Sequence, residues 1–166
     1  MHIAGFPGAT STDILNKIEN IFNCFKHEEF KNIVILSIGV NDTQEVKGNN
    51  KNSIEQYKAN IEKIAEYIKQ QDAEIIIMGL TRIECDEKFL WKPNKNYNNE
   101  VISEYDRDLQ AILEFDSELE KLCQKYKIKY IPMQEVLQKE DFIDGLHPNE
   151  KGHKKIFERI REIIIT

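Results

Sequence analysis

The chain has 166 residues, 23 basic and 29 acidic, which leaves a formal charge of −6 with the histidines neutral. With 40% apolar residues it is long enough for one domain with a real hydrophobic core, held without disulfides or a structural metal. The excess of acid argues against a nucleic-acid surface, no apolar run approaches the roughly 18 residues of a membrane span, and apolar residues recur too steadily for a disordered chain. Cys24, Cys85 and Cys123 are an odd number without C-x-x-C spacing, which fits a reducing compartment, so a cytoplasmic location is expected.

In chain order, Ile14, Leu15, Ile18, Ile21, Phe22 and Phe25 fall at helical spacing behind a Thr10-x-x-Asp13 capping box, which predicts one amphipathic helix. Ile33 to Ile38 is a short apolar run rich in β-branched residues and reads as a strand buried on both faces. Ser53 and Gln56 make a second capping box ahead of a helix marked by Tyr57, Ile61, Ile64 and Ile68. Glu74 to Leu80 is a second buried strand, followed by an irregular stretch from Thr81 to about Asn98. Val101, Ile102, Tyr105, Leu109, Ile112, Leu119, Leu122 and Tyr126 trace a long helix. Ile128 to Pro132 is a third strand, Gln134 to Leu137 a helical turn and Asp144 to Asn149 a loop. Ile156, Phe157, Ile160, Ile163 and Ile164 give the closing helix. Unbroken apolar strands alternating with helices predict a doubly wound α/β domain, residues 1–166, with a parallel sheet and helices on both faces.

Ligands in such sheets bind beyond the carboxyl ends of the strands, so the residues just after each strand are the candidates. Gly5 to Thr10 follows a presumed partial strand, Gly39-Val-Asn-Asp42 and Gly79-Leu-Thr-Arg82 follow the next two, and Asp144-Gly-Leu-His-Pro148 lies near the last. Asp144 and His147, three apart in a turn-forming sequence, can join carboxylate to imidazole Nδ1 and present Nε2 as a general base. Asn41 could aim its side-chain amide, and Gly8 its backbone N–H, at a developing oxyanion. Each feature alone is also an ordinary turn. A metal reading would enlist Asp42, Asp144, His147 and His153, but the two histidines are six apart, a spacing of no common ligand motif.

Together, G-x-x-G-x-T-S, then G-x-N-D after an apolar strand, then D-G-x-H-P-N, resemble in order the second, third and fifth blocks of the SGNH (GDSL) hydrolase family. Ile38 to Gln44, Gly79 to Thr81 and the stretch Trp91, Tyr97, Asn99, Glu100, Tyr105 extend the resemblance over essentially the whole chain. It implies a flavodoxin-like, three-layer α/β/α fold and a serine esterase or acylhydrolase that needs no metal or organic cofactor and acts on a small-molecule ester. Carried onto this sequence, it makes Asp144 and His147 the acid and base, and Gly8 and Asn41 the oxyanion donors. Trp91 and Tyr97, in the irregular stretch, could wall a substrate pocket.

The block Gly-Asp-Ser, which carries that family's nucleophile, does not occur in these 166 residues. It would precede Gly8 by on the order of 30 residues, about one β-loop-helix unit, so the first strand is expected to be missing from this chain, and any signal peptide with it. Among the serines present, Ser11 and Ser53 read as helix caps, Ser37 as part of a buried strand, and Ser103 and Ser117 as helical, which leaves no nucleophile. The alternative is a non-catalytic remnant that binds a ligand or a protein.

Overall fold

The computed structural model describes residues 2–46, 49–85, 88–89, 94–95, 101–103 and 107–165. Ile33–Leu36 (β1), Glu74–Met78 (β2) and Lys129–Ile131 (β3) form a parallel sheet in that order, with Ile33 opposite Glu74 and Ile76 opposite Lys129. The helices are Ser11–Leu15 (α1), Ile18–Phe25 (α2), Ile54–Gln70 (α3), Leu109–Lys125 (α4) and Glu150–Ile165 (α5). Side chains alternate across a strand, so Leu36, Ile75 and Ile77 face one core and Ile76, Met78 and Ile131 face another. The first core takes the i, i+4, i+7 stripe of α3, with Tyr57, Ile61, Ile64 and Ile68 all fully buried, and Ile112, Phe115, Leu119 and Leu122 of α4. Ile156, Ile160 and Ile163 of α5 cover the second. Each aliphatic side chain so enclosed contributes about 1.5–3 kcal/mol relative to exposure. The result is the expected parallel sheet with helices on both faces. Among the described residues, no helix is long and apolar enough to cross a membrane.

Several elements differ from expectation, each for a local reason. Thr10 does cap the first helix, and its side chain and that of Asp13 bond reciprocally. The helix then breaks into α1 and α2 at Asn16, where the cap N–H turns back to Thr12 and Ile14 carbonyls. Ser53 accepts from the Gln56 N–H, but the Gln56 side chain reaches forward to Asn60, so only half of that capping box forms.

The strand predicted over Ile33–Ile38 ends at Leu36 and is not buried on both faces: Ile33 and Ile35 are 47% and 37% exposed. Among the described residues β1 is an outer strand of the sheet, and α5 covers the β2–β3 side of that face. Ser37 accordingly lies exposed just beyond β1 rather than inside a strand. The partial strand expected before Gly5 does not form, and Ile3 is 81% exposed with no ladder to hold it.

The long helix expected from Val101 starts only at Leu109. Asp108 is its N-cap, accepting from the Gln110 N–H at 2.8 Å. Val101–Ser103, with Ser103, is extended against Asn94–Lys95, and Arg107–Asp108 against Lys88–Phe89. Trp91 and Tyr97 lie outside the described residues.

Candidate active site

The segment Asp144–His147 follows β3 and is fixed by its own turn. Gly145 takes φ +84°, a left-handed conformation that glycine adopts without steric cost, and so lets the Asp144 side chain fold over the following residues. Asp144 Oδ1 accepts from the backbone N–H groups of Leu146 (3.0 Å) and His147 (2.8 Å), an Asx turn. Asp144 Oδ2 lies 2.8 Å from His147 Nδ1, so the second carboxylate oxygen is the one that orients the ring. Burial alone would raise the Asp144 carboxyl, but the His147 N–H, the His147 ring and the Leu146 N–H outweigh it and hold the group at about 2. The carboxylate is therefore ionised at neutral pH, as a partner for a histidine that becomes cationic must be. Around the pair, the Gly145 carbonyl accepts from the Glu84 N–H just after β2, and Phe142 bridges to Pro148. Asn149 then accepts from the Gly152 N–H and opens α5.

The second group of candidate residues is built where α1 meets the turn after β1. Gly8 has φ +71°, which turns the chain into the Thr10 cap. Gly39, at φ +135°, starts the turn that carries Asn41, and Tyr57 donates to the Ile38 carbonyl beside it. Asn41 Nδ2 donates to the Ala9 carbonyl at 3.0 Å, so the two candidate oxyanion donors, Gly8 and Asn41, sit on loops that are bonded to each other.

Asp42 locks the same junction. It is fully buried and accepts from the Ser11 N–H with both oxygens, from Ser11 Oγ at 2.5 Å and from Asn52 Nδ2 at 2.6 Å. Asn60 Nδ2 adds bonds to Ser11 Oγ and Thr12 Oγ1. Burial pushes the Asp42 carboxyl above its usual range, and the Ser11 and Asn52 hydrogen bonds pull it partly back.

Asn41, Thr81 and the Asp144–His147 pair all lie beyond the carboxyl ends of β1, β2 and β3 respectively, where an open parallel sheet binds its ligands. A cleft of about 670 Å³ lined by Phe22, His27, Phe30 and Asp72 lies at the opposite, amino end of the strands and holds none of these groups. The four residues of the metal reading are not gathered into one cluster among the described residues. Asp42 is spent on Ser11 and Asn52, and no group of three or more His, Cys, Asp and Glu side chains is gathered among the described residues. Two features escaped the sequence reading. Arg107 reaches the Asn41 turn from 66 residues away, and the Ser11–Asp42–Asn52–Asn60 cluster joins three segments. Only the Asp108 cap, which starts α4 late, hints in the sequence that Arg107 lies outside a helix.

A carboxylate-oriented histidine beyond the last strand of a parallel α/β sheet is an arrangement in which general-base chemistry can be carried out. The family model for GDSL-like lipase/acylhydrolase matches residues 3–160, and the chain belongs to that family. A rice (Oryza sativa subsp. japonica) protein, GDSL esterase/lipase WDL1, is 26% identical over 171 aligned positions, which cover 98% of this chain and 64% of that protein. This chain thus spans less than two-thirds of that relative's length. A crystal structure of a proposed acylhydrolase from Bacteroides fragilis NCTC 9343 superposes with a TM-score of 0.71 at 18% identity, covering 97% of this chain and 72% of the other. For a GDSL-like lipase from Bacteroides thetaiotaomicron VPI-5482 the values are 0.70, 19%, 97% and 73%. At these identities the likeness to the two crystal structures is one of fold.

Proposed function

We propose that this chain supplies the base, its orienting carboxylate and two oxyanion donors of a serine-type hydrolase acting on a small-molecule carboxylic ester. The observation that carries the reading is the 2.8 Å contact between Asp144 Oδ2 and His147 Nδ1. In this reading His147 Nε2 takes the proton of the attacking serine hydroxyl and returns it to the leaving alcohol, while Asp144 stays ionised and stabilises the imidazolium. The carbonyl oxygen becomes an oxyanion, received by the Gly8 N–H and by Asn41 Nδ2. The acyl-enzyme is then hydrolysed by water that His147 deprotonates in the same way.

In this reading the serine stands on a further strand beside the outer edge of β1, because Ser11, Ser53 and Ser117 are committed or remote. Ser11 bonds Asp42 inside the core, Ser53 caps α3 and Ser117 lies on α4. Ser37, exposed beyond β1, and Ser103, on the strand paired with Asn94–Lys95, are the serines of this chain that a fluorophosphonate labelling experiment must exclude.

The in-frame coding sequence ahead of Met1 is the first test, with a strand followed by Gly-Asp-Ser as the expected finding. The complete encoded protein should hydrolyse p-nitrophenyl acetate and be labelled on that serine by a fluorophosphonate. His147→Ala should lower turnover by about 10³-fold or more and abolish labelling. Undiminished turnover in His147→Ala would overturn the reading. Absence of both labelling and turnover would favour the alternative, a domain that binds a ligand or protein without hydrolysing it.

A further inference from the structure

We propose that Arg107 is a positioning residue for Asn41: it sets which way the Asn41 amide faces and strengthens the N–H that the amide offers to the oxyanion. The proposal rests on the ester-hydrolase reading for its consequence in turnover, and on geometry alone for its structural content. Arg107 is 4% exposed, an expensive position for a guanidinium unless its donors are satisfied. Its Nη2 donates to Asn41 Oδ1 at 2.8 Å and its Nε to the Val40 carbonyl at 3.2 Å. Two of its donors thus go to the two residues of the turn that present the amide.

The orientation follows from chemistry rather than from fit. A guanidinium has donors and no acceptor, so it can face only the carbonyl end of an asparagine amide. The NH2 end must then point away from Arg107, and it does, with Nδ2 donating to the Ala9 carbonyl at 3.0 Å. An amide nitrogen carries two hydrogens. One is used on Ala9, in the loop that also carries Gly8, and the second is the one an oxyanion would receive. A flipped amide would set NH2 against the guanidinium and Oδ1 against the Ala9 carbonyl, two repulsive contacts at once. The cation on Oδ1 also polarises the amide, which makes its N–H a better donor in a chain of linked hydrogen bonds. Arg107 stands on the extended pair Arg107–Asp108 beside Lys88–Phe89, directly ahead of α4, so the segment after β2 contributes a positioning residue.

Two measurements test this, one of which does not depend on turnover. In the 166-residue chain, Arg107→Gln should shift the Asn41 side-chain ¹⁵N–¹H₂ resonances and bring its two protons closer together in frequency, whereas Arg107→Lys should move them less. In the complete protein, Asn41→Ala should lower kcat by about 10²–10³-fold. Arg107→Gln should lower kcat by about 10-fold or more, with KM changed less than about threefold, and should cost nothing further in the Asn41→Ala background. Asn41 resonances unchanged by Arg107→Gln would overturn the proposal whatever the kinetics show. So would an equal loss of kcat in both backgrounds. If instead Asn41→Ala and His147→Ala leave turnover intact while the resonances shift as expected, the ester-hydrolase reading fails and the orienting role of Arg107 stands as geometry.

Discussion

Asp42 is the most heavily used polar group at the junction of α1 with the turn after β1, and its removal has a calculable cost. Three of its four hydrogen bonds enter Oδ1, from the Ser11 N–H, Ser11 Oγ and Asn52 Nδ2, and one enters Oδ2, from the Ser11 N–H. Ser11 is fully buried, so Asp42→Ala strands its N–H and removes the acceptor of its hydroxyl, while the half-buried Asn52 can turn to water. Stranding a buried donor costs about 1–3 kcal/mol, and bonds to a charged acceptor are worth about 1.5–3 kcal/mol each. Burial also disfavours the Asp42 charge, so part of the loss is refunded when the carboxylate is deleted. The net expectation is a loss of about 3 kcal/mol for Asp42→Ala. At about 2–4 °C per kcal/mol in a chain of this size, Tm should fall by about 6–12 °C. Asp42→Asn keeps an oxygen at the Oδ1 position and sets an NH2 against the Ser11 N–H only, for about 1 kcal/mol. Thermal melts and urea titrations of the two variants and the parent at pH 7 decide the matter. A shift below about 2 °C for Asp42→Ala, or a larger loss for Asp42→Asn than for Asp42→Ala, would refute the accounting.

Asp144 provides a pH-dependent counterpart. Its folded value of about 2 lies below the unfolded carboxylate value of about 3.9, so its contribution to stability is fully present above the latter and is lost as pH falls through the former. The stability difference between the parent and Asp144→Ala, measured by urea unfolding, should shrink as the pH is lowered from about 5 toward 2. A difference that grows between about pH 5 and pH 2 would contradict it. Gly79 ends β2 where a Cβ would run into the Tyr130 hydroxyl and approach Asp116 Oδ1 to 2.8 Å, and those two groups already bond each other at 2.7 Å. Gly79→Ala should therefore cost about 1–3 kcal/mol by overpacking, read from the urea midpoint, and Tyr130→Phe in the same chain should recover part of the loss.

Features written in neighbouring residues were legible, and features made by the packing of distant segments were not. The Thr10–Asp13 box, the Ser53 cap, the apolar stripe of α3 and the unbroken run of β2 all depend on local spacing, and each lies where that spacing predicts. The Asp144–His147 pair belongs with them, since a three-residue turn is enough to close it. Val101 and Ile102, by contrast, match helical periodicity, yet their backbone pairs with Asn94–Lys95, a partner that no spacing rule names. Arg107 carried no signal because its value lies in the Val40–Asn41 turn, on the far side of α3 and β2 in the sequence. Asp42 was visible as a carboxylate after a strand, but its burial against Ser11 turned a candidate ligand into a structural anchor.

β1 and β2 differ less in composition than in surroundings. Ile-Val-Ile-Leu is as apolar as Ile-Ile-Ile-Met, yet Ile33 and Ile35 are exposed where Ile76 and Met78 are covered by β3 and α5. Burial is a property of the neighbours a topology provides, and an apolar run alone specifies only that a strand can tolerate them. The consequence for the site is more specific. An outer strand is the part of a sheet most free to fray, yet the turn beyond β1 carries the Asn41 amide. That turn is held by groups that do not belong to the β1 edge: Tyr57 on the Ile38 carbonyl, Arg107 on Val40 and Asn41, and Ser11 and Asn52 on Asp42. These bonds come from α3 and the loop ahead of it, from the segment ahead of α4 and from the start of α1, and the three helices pack on the larger core. Asn41 and the Gly8 loop to which it is bonded are thereby placed by the helical layer rather than by the strand that leads to them.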